Sequence, residues 1–295
     1  MDTGTNSRKN LLFSILQYPL ARLIILGAIV FYTYISGHIF RVQYFNPDYS
    51  IFLMQSINIV VVLWMIGITL ALYFAFVKTV EKRPVTELSF PGMGKELGIG
   101  LLMGVGLFTL CIVIMMILGV YKIEGINDWT LLLGAIWMGL SSGFFEEILF
   151  RGVLLGIVEK TFGSWIAIAV SSLAFGLIHL QNPGATFQGV LFIAIEAGVL
   201  LAAMYILTQR LWMGMGFHMA WNYTQSSIFA GIGAGNPKEY GLFRGIVSGP
   251  ELITGGEYGI EFSIIGLIVL TGTGIFLLIK GYKKGNIKPP FWKKS

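Results

Sequence analysis

The chain reads as an all-α, polytopic membrane helix bundle of about eight transmembrane helices. Three observations carry this. Hydrophobic residues make up 55% and charged residues 12% of 295, about half the charged share of an ordinary globular chain. Apolar runs long enough to cross a hydrocarbon core of roughly 30 Å recur along the whole length. Lysine and arginine crowd into alternate connections and the C-terminal tail, so the net charge of +5 belongs to membrane topology and not to nucleic acid.

The expected spans are 20–37, 52–77, 97–120, 130–156, 164–181, 187–208, 211–230 and 261–280. The first follows Arg8 and Lys9, is interrupted by Pro19 and Arg22, and lacks a small-residue cleavage site, so it reads as a retained span and not a signal peptide. The second ends at the long polar connection 78–96, which holds Lys78, Lys82, Arg83, Pro84 and Pro91. The third carries Cys111, the only cysteine, so no intrachain disulfide is possible. The fourth and fifth turn about Lys160–Gly163, and the sixth and seventh about Gln209–Arg210. The Gly-rich, acidic stretch 232–260 precedes the last span and the basic tail Lys280–Lys294. The chain divides into N-terminal helices (1–129), a chemistry-bearing helix core (130–230) and a C-terminal loop, span and tail (231–295). With the N-terminus inside, Arg8, Lys9, Arg22, Lys78, Lys82, Arg83, Lys95, Lys160, Arg210 and the tail lysines fall on inner segments. Only Arg41, Lys122, Lys238 and Arg244 fall outside. That asymmetry predicts a multi-pass protein of a bacterial cell membrane with both termini cytoplasmic.

The fourth span holds the stretch that asks for chemistry: Ser141-Ser-Gly-Phe-Phe-Glu146-Glu147-Ile-Leu-Phe-Arg151-Gly. An ionisable group at that depth costs several kcal/mol unless it is paired or faces a polar cavity, which makes it a functional candidate. Glu147 and Arg151 are four apart on one helix face, in the favourable order for an ion pair. Glu146 points about 100° away and has no local partner, so it is free for work. His179 in the fifth span falls level with it, both roughly 22–25 Å from the inner turn. Glu196 in the sixth span falls in the same layer. His218 and Asn222 share a face of the seventh span, but roughly 12–18 Å up, about 10 Å nearer the inner side. Glu196 reads as a structural acid, His38 as an interfacial group, and Trp129 and Trp212 as interface anchors. Ser141-Ser-Gly and Ser171-Ser fit close helix packing.

Glu146-Glu147-x-x-x-Arg151, Phe175-x-x-x-His179 and His218-x-x-x-Asn222, in this order on successive spans, resemble the three motifs of the CPBP family. That family comprises CAAX-type prenyl-protein endopeptidases together with bacterial abortive-infection and bacteriocin-processing relatives. The likeness covers roughly 130–225, and Thr254-Gly-Gly-Glu-Tyr-Gly resembles a glycine-rich segment common in the family. The resemblance implies an intramembrane endopeptidase in which Glu146 and His179 activate a water, His218 and Asn222 stabilise the oxyanion, and Glu147 and Arg151 position the site. It implies a membrane-anchored or amphipathic peptide or protein as substrate. The favoured mechanism uses no metal. The alternative is Zn²⁺ held by Glu146, His179 and His218 with an open fourth position, although the H-E-x-x-H helix motif is absent. A non-catalytic immunity or scaffold protein would need the buried ion pair but neither Glu146 nor Asn222. A transporter would use Glu196 for proton coupling.

Overall fold

A computed structural model describes residues 15–43, 49–182, 184–229 and 241–293, without the side chains of 40–43. Arg8, Lys9, Lys238, Lys294 and the end of the seventh expected span at residue 230 lie outside the described residues, as does the Arg41 side chain.

The fold is a helical bundle. α1 runs Pro19–Gln43 and α2 Ile51–Phe76, the latter extended by a wide turn to Glu81. α3 is Met93–Ile117. α4 is Ile136–Glu147, prolonged through a wide π-type segment to Leu155, and α5 is Gly156–Ile178. α6 is Phe187–Ile193, and after a second wide turn α7 is Val199–Thr208. α8 is Trp212–Tyr223, continued to Ile228, and α9 the short Glu251–Thr254. α10 is Ile264–Lys283. Among the described residues six helical stretches are long and apolar enough to cross a membrane. One of them, Trp129–Gln181, is 53 residues long and folds back at Gly163, whose φ of 79° and ψ of 170° break the helix. It therefore supplies the fourth and fifth expected spans. The seventh is α8, too short and too interrupted to count on length alone.

Helix faces turned outward are apolar, as lipid contact requires: Trp64, Leu102, Ile117 and Ile268 are all strongly exposed. The bundle carries one element that apolar periodicity did not foretell. β1 (Tyr121–Ile126) pairs antiparallel with β2 (Phe243–Val247), with an irregularity between Ile123 and Gly125. This ribbon closes one end.

Glycines set how closely the central helices approach. A Cβ at Gly100 of α3 would lie 2.2 Å from the Met213 carbonyl oxygen, and one at Gly104 would lie 2.5 Å from that of Phe217. A Cβ at Gly143 of α4 would lie 2.9 Å from the Met215 carbonyl oxygen. α8 is thus held between α3 and α4 at backbone-contact distance, the packing that small residues permit in membranes.

The end opposite the ribbon is tied by charge. Glu81 meets Arg22 at 3.4 Å, Lys160 at 3.3 Å, and also Arg83. Arg83 holds Glu87 through both terminal nitrogens, at 2.8 and 2.9 Å. Lys288 of the tail reaches Glu159 at 2.6 Å. Trp212 corrects its assignment as an interface anchor: it is buried, and its Nε1–H donates to the Ser89 carbonyl at 2.9 Å. The connection between α2 and α3 covers it through Ser89 and Phe90.

Candidate active site

Glu147 and Arg151 form the expected ion pair, with Arg151 Nη1 at 2.8 Å from Glu147 Oε1 and side chains 0% and 1% exposed. Nη2 of Arg151 donates to the Gly198 carbonyl at 3.2 Å, and the guanidinium lies 4.4 Å from the centroid of the Phe175 ring. A buried guanidinium is tolerable only with such partners. Glu147 has a second role. His218 Nδ1–H donates to the same oxygen, Oε1, at 3.1 Å. The other ring nitrogen, Nε2, is thereby turned toward Glu146, 3.9 Å from its Oε2.

That distance corrects the depth estimate for His218, which lies beside Glu146 and not a helical turn or two below it. The turn joining α7 to α8 packs on the α2–α3 connection. Leu211 is buried, its N–H donates to the Glu87 carbonyl at 3.0 Å, and Arg210 caps the carbonyls of Ser89 and Pro91. The α2–α3 connection lies below this turn, so α8 starts above that connection and closer to Glu146 than the turn count gives. The wide segment Ile148–Leu155 also shortens the climb on the α4 side, because an i→i+5 turn takes more residues per turn.

His179 stands at the end of α5. Its Nδ1 is 2.7 Å from the Phe175 carbonyl. A carbonyl only accepts, so Nδ1 carries the proton and Nε2 presents a lone pair. Phe175 organises the layer: its ring is 4.9 Å from His179, 5.7 Å from His218 and 5.2 Å from Phe150. Glu146 and His179 line one cavity of about 420 Å³, within the range of ligand sites. Its other walls include Phe31, Tyr34 and His38 of α1 and Gln181 and Asn182 after α5. Glu146 is 29% exposed to this space. Its Oε2, on the His218 side, is buried without a hydrogen-bond partner.

Asn222 is half-buried one helical turn beyond His218. Its Nδ2 donates to Ser142 Oγ at 2.7 Å, and that hydroxyl donates onward to the Met138 carbonyl at 3.1 Å. One amide hydrogen of Asn222 is thus used for orientation and the second is left for a ligand. The sequence reading took Ser142 as a packing residue. Its spacing four before Glu146 would have put it on the same helix face. His38 is also promoted, from the interface to the cavity wall; no spacing in the sequence announces that, because it depends on how α1 leans on α4. Glu196 is fully buried with neither oxygen hydrogen-bonded, and it does not line the cavity. It faces Gly266, where an added Cβ would lie 3.0 Å from its Oε2. The glycine-rich stretch Thr254–Gly259 turns tightly, with Gly255 at φ 78°. It carries Tyr258, whose hydroxyl accepts from Asn182 Nδ2 at 2.7 Å.

Residues 128–224 match the protein family described as Type II CAAX prenyl endopeptidase Rce1-like. This segment is an Rce1-like CAAX endopeptidase domain. No curated protein and no solved structure matches the chain. Membership implies an intramembrane protease acting on protein substrates, and the CAAX endopeptidase segment contains Glu146, Glu147, Arg151, His179, His218 and Asn222. His38, Tyr258 and the α1 wall lie outside it. As a metal site the CAAX endopeptidase residues do not close: among the described residues no three His, Cys, Asp or Glu side chains are gathered as a ligand set.

Proposed function

We propose that this protein is a membrane endopeptidase in which Glu146 activates water for hydrolysis of a peptide bond. Residues 130–230 do the chemistry. The observation that carries the reading is Glu146 itself: a carboxylate without a hydrogen-bond partner on its inner oxygen, sharing a cavity wall with the lone pair of His179. A water held between the two has a base on one side and a second acceptor to orient it. Glu146 takes the proton as the water oxygen adds to the scissile carbonyl. The carbonyl oxygen becomes an oxyanion, received by the free amide hydrogen of Asn222 and by Nε2–H of doubly protonated His218. The C–N bond then breaks, and the proton on Glu146 passes to the leaving amine. Glu147 and Arg151 touch none of the reacting atoms. They hold the imidazole of His218 with Nε2 turned toward Glu146. No step is routed through a metal.

The substrate is a membrane-anchored or amphipathic peptide or protein, because the cavity walls are mainly apolar side chains such as Val30, Phe31, Ile35 and Leu149. The test is incubation of purified protein in detergent with a library of membrane-protein peptides. Cleavage products from wild-type protein and none from Glu146→Gln are expected. Equal cleavage by both rejects the assignment.

A further inference from the structure

The cavity lies in one half of the bundle, and the charges identify which half. Two helices give its height independently. α1 leaves the charged end near Arg22, and its cavity-lining residues Phe31, Tyr34 and His38 follow at roughly 14–24 Å along the axis. α5 leaves the same end at Gly163, and His179 to Asn182 follow at roughly 24–28 Å. The cavity therefore sits toward the end that carries the β-ribbon.

The two ends differ sharply in charge. Arg22, Arg83, Lys160 and Lys288 are joined at one end by their bonds to Glu81, Glu87 and Glu159. Arg210 binds Glu96 there at 3.0 Å. Lys78, Lys82, Lys95 and Lys280–Lys284 occupy adjoining helix ends at the same level. Among the described residues the ribbon end carries Arg41, Lys122 and Arg244 as its Lys and Arg, beside the acids Glu124, Asp128, Glu251 and Glu257. Cytoplasmic connections of membrane proteins concentrate Lys and Arg, so the clasped end is the cytoplasmic one.

We infer that the active-site cavity serves the leaflet opposite the cytoplasm, and that the substrate is an amphipathic or membrane-embedded peptide segment presented from that side. This rests on the endopeptidase reading. A protein tethered to the cytoplasmic leaflet would have to reach past the charged clasp and most of the membrane thickness. A segment at the far leaflet meets the cavity directly between α1 and the end of α5. There Phe31 and Ile35 offer apolar contact, and His38 and Gln181 offer polar groups for a main chain.

Orientation is read by labelling, independent of activity. Cys111 is the only cysteine and is buried, so Lys122→Cys at the ribbon and Lys284→Cys at the clasp report on a quiet background. In intact bacterial cells a membrane-impermeant maleimide should label Lys122→Cys, and should label Lys284→Cys only after the membrane is opened. The opposite pattern overturns the inference. Substrate side is read with purified protein in sealed vesicles and a fluorescence-quenched amphipathic peptide that wild-type protein cleaves in detergent, added outside. Cleavage should scale with the fraction of molecules whose residue 122 faces out. Cleavage confined to molecules with residue 284 outward overturns the inference alone. Absence of any cleavable peptide in detergent overturns the endopeptidase reading, and the substrate claim with it, whatever the labelling shows.

Discussion

At the scale of residues, the proposed mechanism gives two adjacent glutamates opposite jobs, and mutagenesis should separate them. Glu147 receives both Arg151 and His218 on one buried oxygen. Glu147→Gln leaves a guanidinium buried without its counter-charge, a loss on the order of 3–5 kcal/mol. This variant should melt early in detergent and accumulate poorly. Glu146→Gln breaks no hydrogen bond of the inner oxygen. It should melt with wild type and lose roughly 10²–10⁴-fold in cleavage rate, the share of a general base. The reverse pattern of melting and activity would invert the two roles. Asn222→Ala should cost roughly 10²–10³-fold in kcat, as loss of one oxyanion donor does, with little change in KM. Metal content is a further check. Purified protein should contain no stoichiometric zinc, and enzyme treated with a chelator and then freed of it should keep its activity. One zinc per chain, with activity lost on stripping and restored by Zn²⁺, would replace the proposed mechanism.

At the scale of elements, the site depends on α8 lying against α3 and α4 without intervening side chains. Gly100→Ala would force a Cβ onto the Met213 carbonyl. Overpacking of this kind costs about 1–3 kcal/mol, and here the shift falls on the helix that bears His218 and Asn222. Stability and cleavage should drop together. Gly106 on the same helix is exposed, and a Cβ there meets nothing within 4 Å. Gly106→Ala should leave activity intact and raise stability by up to ~1 kcal/mol through helix propensity. Paired thermal melts and cleavage assays of the two variants test this; a matching loss in both would mean that the α3–α8 contact does not govern the site.

At the scale of the whole molecule, the clasp joins the N-terminal helices, the α2–α3 connection, the α4–α5 hairpin and the tail. Glu87 is its hub: it accepts from Arg83 and from the Tyr73 hydroxyl, while its carbonyl holds Leu211. Burial alone would raise the Glu87 carboxyl, but the hydrogen bonds and charge of Arg83 outweigh it and hold the group below the usual range. A carboxyl lowered by folding stabilises above its unfolded value, about 4.3. The benefit fades as pH falls through the lowered folded value. The difference in melting temperature between wild type and Glu87→Gln should therefore be full near neutrality and shrink below about pH 4. A difference that persists unchanged into acid would show that the carboxylate charge is not what holds the clasp.

The sequence by itself determined much of this protein. Composition gave a membrane bundle, because so few charges over so many apolar runs leave no other solvent. Spacing gave the Glu147–Arg151 pair and the freedom of Glu146, because a helix fixes the angle between successive residues wherever it lies. The order of three short motifs pointed to the CAAX endopeptidase segment that the family match then confirmed. Tertiary structure decided what local geometry does not carry. His218 meets Glu146 because the α2–α3 connection fills the space beneath α8, and no count of residues from a turn reveals how deep that turn sits. Trp212 is buried for the same reason. Ser142 pairs with Asn222 and His38 joins the cavity wall only through contacts between helices distant in sequence. The β-ribbon forms from strands more than a hundred residues apart, each too short to declare itself. The helical period is local and legible. The depth and lean of one helix against another are set by what packs between them.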